Sequence, residues 1–122
     1  MKVVDASAIC AVLFAEEEAR SIKERVAGSA MVAPTLLSYE VANACWKKLR
    51  RHPELRPDVL AAYTLFARLG IRQLRINLGA VVLLAEATRL SVYDAAYVWL
   101  ARALGVELVS LDRRVLRAAA DG

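Results

Sequence analysis

Lys2-Val3-Val4-Asp5-Ala6-Ser7-Ala8 is a short β-branched run that ends in an acid and passes at once into residues suited to a helix. A strand this apolar has no solvent face, so it belongs in a sheet covered on both sides. Three further short apolar runs follow, at 30–33, 71–76 and 106–111. Helical stretches separate them: 6–14 and 16–26, then 36–50 and 58–69, then 78–89 and 92–104, with 112–120 last. Gly28, Gly70 and Gly105 stop helices, Pro34-Thr35 opens one, and Asn77 and Ser91 are suited to cap two more. The order β-α-α-β-α-α-β-α-α-β-α predicts a three-layer α/β/α fold around a central parallel sheet of four to five strands joined by right-handed crossovers. Ligands of such sheets gather at the carboxyl ends of the strands, where strand order reverses.

The 122 residues are 58% apolar and 25% charged, with 17 basic and 13 acidic side chains. That composition excludes disordered and collagen-like chains and suits a single domain, 1–122. A chain of this size buries roughly two thirds of its surface on folding and needs no disulfide or structural metal. Cys10 and Cys45 form no C-x-x-C pair, so a reducing cytoplasm is the expected compartment. Asp5 interrupts the apolar start and Glu16, Glu17 and Glu18 follow it, which is unlike a secretory signal. The apolar stretch 78–90 carries Glu86 and Arg89 and is too short to cross a bilayer, so no membrane partner is expected.

His52 is the only histidine, so neither a His/Cys zinc site nor a Ser-His-Asp triad can be assembled. Glycine-rich dinucleotide and P-loop motifs are absent. What remains is carboxylate chemistry. Asp5 closes the first strand, Asp112 closes the fourth, Asp94 lies in the first turn of a helix that starts at Val92, and Glu40 lies one turn into the helix after the second strand. Four acids at one sheet edge repel one another, and a hard divalent cation, Mg²⁺ or Mn²⁺, resolves that repulsion with oxygen ligands. Ser7 and Ser110 are the supporting polar groups. The plainer reading makes Asp5, Ser7 and Asp112 helix caps, Ser91 and Asp94 a capping box, and Glu40 a solvated helix residue. Lys47, Arg50 and Arg51, with Lys48 and Arg56, suit either a phosphate backbone or a solvated helix end. Trp46 and Trp99 read as core or interface anchors and His52 as a surface turn residue.

Together, Asp5-Ala6-Ser7-Ala8, Tyr39-Glu40-Val41-Ala42-Asn43, Ser91-Val92-Tyr93-Asp94-Ala95-Ala96-Tyr97 and Ser110-Leu111-Asp112-Arg113-Arg114 resemble the successive motifs of PIN-domain ribonucleases, above all the stand-alone VapC-type toxins of toxin-antitoxin pairs. The resemblance runs over nearly the whole chain. It implies an endoribonuclease dependent on Mg²⁺ or Mn²⁺ that leaves 5′-phosphate and 3′-hydroxyl ends, with Asp5, Glu40, Asp94 and Asp112 as the catalytic and metal-holding acids. An RNA substrate, an antitoxin protein and a homodimer are the implied partners, with Leu13, Phe14, Leu37 and Trp46 candidates for antitoxin contact. Family members often continue into a further short strand, whereas this sequence stops at Gly122, so a shorter sheet edge is expected. Two other classes compete. A receiver-like phosphoacceptor wants a lysine near a late strand, and no lysine lies beyond Lys48. A catalytically silent α/β module binding RNA or a protein would use the same acids only as caps.

Overall fold

A computed structural model describes residues 1–121; Gly122, from which the shorter edge was expected, lies outside the described residues. Strand β1 (Lys2–Val4) leads through α1 (Ala6–Leu13) and α2 (Ala19–Val26) to β2 (Met31–Pro34). Helices α3 (Leu36–Arg51) and α4 (Arg56–Arg68), joined by a short 3-10 turn at Pro53–Leu55, lead to β3 (Arg72–Leu74). Then α5 (Leu78–Thr88) and α6 (Val92–Leu104) lead to β4 (Leu108–Val109), and α7 (Arg113–Ala120) follows. All strand pairs are parallel, in the order β3-β2-β1-β4, with Val3 opposite Val32 on one side and Leu108 on the other. The expected α/β/α class and element order are both present, with four strands.

The order of the strands explains the three layers. From β1 the chain steps outward through β2 to β3, then returns past β1 to place β4 on the other side. With every crossover right-handed, reversing the direction of travel puts the returning helices on the opposite face. Accordingly α1 packs with α2, α3 and α4, while α6 packs with α5 and α7 and lies on β1, β2 and β4. Val3 and Val4 in the central strand are completely buried between these layers. The reversal leaves a crevice between the carboxyl ends of β1 and β4, where strand order changes hand.

Several boundaries differ from the sequence reading for local reasons. Pro34 ends β2 opposite Leu74 instead of opening a helix. It has no N–H, and the next residue, Thr35, donates to the Leu74 carbonyl at 3.2 Å. The second helix begins at Ala19, not Glu16, because Ala15 turns into the left-handed region (φ 50°) and its three following glutamates form a turn. Helix α4 starts two residues early, with Pro57 in its first turn. Strand β4 stops at Val109, so Asp112 does not close it; Ser110 and Leu111 intervene. Leu13 and Leu37 are buried core residues, which removes them as partner contacts, whereas Trp46 is exposed and Trp99 packs against the core. Both cysteines are free, and none of the described helices is long and apolar enough to cross a membrane.

Leu37 is wholly buried one turn before Glu40, whereas Leu83 on α5 is 66% exposed. Leu37→Ala is expected to destabilise the fold by about 2–5 kcal/mol through lost burial and a residual cavity. Leu83→Ala is expected to change it by no more than about 0.5 kcal/mol. Urea unfolding of the two variants checks the contrast.

Candidate active site

Asp5 is the N-cap of α1 and only 6% exposed. Its extended backbone (φ −101°, ψ 175°) turns the carboxylate back over the helix start. Oδ1 accepts from the Ala8 amide at 3.0 Å and from Ser7 Oγ at 2.7 Å, and Oδ2 accepts from Ser110 Oγ at 2.5 Å. Both hydroxyls are used twice: Ser7 Oγ accepts from the Leu111 amide and Ser110 Oγ from the Asp112 amide, each at 2.9 Å. The two serines therefore fasten the loop after β4 to the carboxylate after β1. Burial pushes the Asp5 carboxyl above the usual carboxylate range; its three hydrogen bonds oppose that shift and the nearby Asp94 adds to it.

Glu40 is half-buried one turn into α3. The Tyr97 hydroxyl of α6 donates to its Oε1 at 2.6 Å. Burial raises the Glu40 carboxyl, the Tyr97 bond lowers it, and Asp94 and Asp5 raise it again. Tyr97 itself is buried, and desolvation followed by its bond to Glu40 pushes its phenol far above the ordinary value, so it stays a neutral donor. Tyr97 was not singled out from the sequence. Its position three residues after Asp94, on one face of the same helix, was the available signal.

Asp94 lies in the first turn of α6, whose N-cap Ser91 accepts from the Asp94 amide at 3.0 Å. The Asp94 carboxylate faces α7, with Oδ2 3.7 Å from the Arg114 guanidinium. Asp112 caps α7, its Oδ1 accepting from the Arg114 and Val115 amides, and its Oδ2 is 3.3 Å from the same guanidinium. Partial burial raises the Asp112 carboxyl, but the Arg114 side chain and the two amides outweigh it and hold the group below its usual value. Arg114 closes the run Ser110-Leu111-Asp112-Arg113-Arg114, whose pattern alone implies no role for it. It is the basic side chain that bridges two of the four acids.

The caps expected under the plainer reading are thus real at Asp5, Ser91 and Asp112, and they are also what aims the acids. Capping fixes Asp5 and Asp112 at strand-to-helix junctions, while Glu40 is placed one turn into α3 and Asp94 in the first turn of α6. Among the described residues no group of three or more His, Cys, Asp or Glu side chains is drawn into a tight ligand cluster. The donors at the crevice are carboxylate and hydroxyl oxygens, the ligand type that suits a hard divalent cation. Asp5, Glu40, Asp94 and Asp112 are the residues that could hold one. Lys47, Arg50 and Arg51 lie elsewhere: Lys47 is seven residues beyond Glu40, roughly 10 Å along α3, and Arg51 is roughly 16 Å along it. Lys48 in the same run sits over the Phe14 ring, 4.6 Å from its centroid. His52 caps the end of α3 on the surface.

Ser110→Ala removes a charge-assisted donor from a buried carboxylate and leaves the Asp112 amide without its acceptor. A loss of roughly 1.5–3 kcal/mol is expected. Thermal unfolding should therefore shift down by several degrees, whereas Ser91→Ala should cost about 1 kcal/mol as an ordinary cap.

The sequence model of the PIN domain family matches residues 2–121. Ribonuclease VapC3 of Pyrobaculum aerophilum is 39% identical over 120 residues, an alignment that covers 93% of this chain and 90% of that protein. The crystal structure of PAE2754, also from Pyrobaculum aerophilum, is similar with a TM-score of 0.75 at 28% identity, covering 96% of this chain and 83% of that one. With its strand order, its acid-bearing crevice and a family match over nearly its full length, the chain belongs to the PIN domain family.

Proposed function

We propose that this chain is a divalent-metal-dependent endoribonuclease and the toxin of a toxin-antitoxin pair, acting as one domain. The observation that carries the reading is the junction of Asp5, Glu40, Asp94 and Asp112 at the β1/β4 crevice of a PIN domain fold. The kinship with a protein named ribonuclease VapC3 supports the RNA substrate and the antitoxin partner.

Asp5, Asp94 and Asp112 would hold Mg²⁺ or Mn²⁺, with Glu40 beside them. Bound there, the cation supplies charge stabilisation for the phosphoryl oxygens and a more acidic water. The chain's own contribution is position. Ser7, Ser110 and the Ala8 amide keep the Asp5 carboxylate in one orientation. Tyr97 occupies one oxygen of Glu40 and so directs the other, and the raised affinity of Glu40 for a proton suits it to accept one from an attacking water. No side-chain nucleophile is required, and the one histidine lies on the surface at the far end of α3.

Exposed apolar side chains beside the crevice support protein partners. Tyr39, Leu78 and Tyr93 are each more than 60% exposed and line an apolar cavity of about 290 Å³ at the meeting of α3, α5 and α6. A second cavity, lined by Phe14, Leu55 and Val59, lies between α1 and α4. An antitoxin segment and a second copy of the chain are the proposed occupants of such faces.

The test is thermal unfolding in EDTA and in millimolar Mn²⁺, on the natural protein and on Asp94→Asn. A ligand held only by the folded state at about 100 times its Kd adds roughly 2.7 kcal/mol. The natural protein should therefore melt several degrees higher with Mn²⁺ and Asp94→Asn should not. Metal-dependent RNA cleavage, read by gel and by the 5′-phosphate on the product, should fall about 100-fold or more in that variant. No stabilisation by Mn²⁺ together with no cleavage would favour the silent binding module.

A further inference from the structure

We propose that the open cleft between the α5–α6 junction and α7 is the track along which the sugar-phosphate backbone of single-stranded RNA approaches the carboxylates. The proposal rests on the ribonuclease reading and adds to it a place and a set of residues. The cleft has a volume of about 640 Å³, and Arg89, Arg102, Arg114 and Arg117 line it with a single acid, Asp121. Four guanidinium groups around one cavity repel each other, and a polyanion relieves that repulsion. Guanidinium groups suit phosphate because their planar fork can bond two phosphate oxygens at once.

The arginines have different duties. Arg102 donates to the Ala118 carbonyl at 2.5 Å, which ties α6 to α7 and forms one wall. Arg114 belongs both to the cleft and to the acidic crevice, where it lies 3.7 Å from Asp94 and 3.3 Å from Asp112. Through Arg114 the cleft borders the side of the crevice that holds two of the four acids. Arg89 stands at the left-handed end of α5 (φ 64°), Arg117 lies on the last full turn of α7, and both are exposed. Among the described residues neither makes an ion pair. Of the four arginines of the cleft they are the two whose guanidinium groups make no bond among the described residues. The Lys47–Arg51 run has the charge but lies two to three helical turns from Glu40, with Lys48 already over an aromatic ring.

The experiment is fluorescence anisotropy of a labelled single-stranded RNA over a range of salt, in EDTA so that binding is read apart from cleavage. The combined variant Arg89→Gln, Arg117→Gln is expected to bind about 10-fold more weakly at low salt. Its plot of log affinity against log salt should be shallower by roughly 1.4, the loss of two single-strand phosphate contacts. Arg89→Lys, Arg117→Lys should keep most of the slope, and Arg50→Gln, Arg51→Gln should match the natural protein. Unchanged thermal midpoints establish that the variants fold.

Unchanged affinity and slope in the Gln pair would overturn the cleft as the track while leaving the nuclease reading standing, because Mn²⁺ stabilisation and cleavage decide that separately. Failure of the natural protein to bind RNA at all would also overturn it. Tighter binding of an oligoglutamate than of RNA with equal charge, lost in the same Gln pair, would overturn it in favour of an acidic protein segment.

Discussion

One buried carboxylate holds the two sides of the crevice together. Asp5 follows the central strand, and its oxygens are satisfied by a hydroxyl from its own helix, an amide from that helix and a hydroxyl from the far end of the chain. A charge at 6% exposure is tolerable only with such partners. The partners in turn accept the amides of Leu111 and Asp112, so satisfying Asp5 also fixes the loop that starts α7 and points Asp112 toward Asp94. Local capping, sheet topology and site geometry thus depend on one small polar network. The same network explains why β4 can be only two residues long: the ladder stops where the hydroxyl bonds begin.

Electrostatics at the crevice is arranged in opposite senses on its two sides. Asp5 and Glu40 are buried enough that desolvation, with Asp94 nearby, raises their affinity for protons. Asp112, nearer the surface and beside Arg114, is held ionised. Three acids of one chemical type are therefore tuned in opposite senses, as their surroundings rather than their identities dictate. Arg114 belongs to both places, lying beside Asp94 and Asp112 and lining the basic cleft.

Much of this was legible in residue order. The β-branched run ending in Asp5 implies a covered strand, and the pattern of long helices between short strands implies parallel pairing and hence a common edge for whatever follows each strand. That reasoning places Asp5, Glu40 and Asp112 at one end of the sheet, and Asp94 joins them because α6, the helix that leads into the start of β4, must begin at that same end. Pro34 was misread because its lack of an N–H suits a helix start as well as the last residue of a strand, and only the Thr35 bond to Leu74 distinguishes the two. Leu13 and Leu37 show the same limit from another side: an amphipathic pattern says that one face is apolar, not whether core or solvent covers it. Tyr97 and Arg114 were beyond such reasoning because their roles arise from helix-to-helix contacts, α6 to α3 and α7 to α6, which leave no period in the sequence.

The separation of Asp5 from Ser110 along the chain has a consequence for how the crevice forms and opens. The Ser110 bond to Asp5 spans 105 positions of the chain, and β4 pairs with β1 across the same interval. Until that long-range closure is made, the first strand has no β4 neighbour, its terminal carboxylate lacks its Ser110 donor, and the acidic crevice does not exist. Any opening that separates β4 from β1 therefore takes Ser110, Asp112 and Arg114 away from Asp5 together, so the crevice is only as durable as that one long-range pairing.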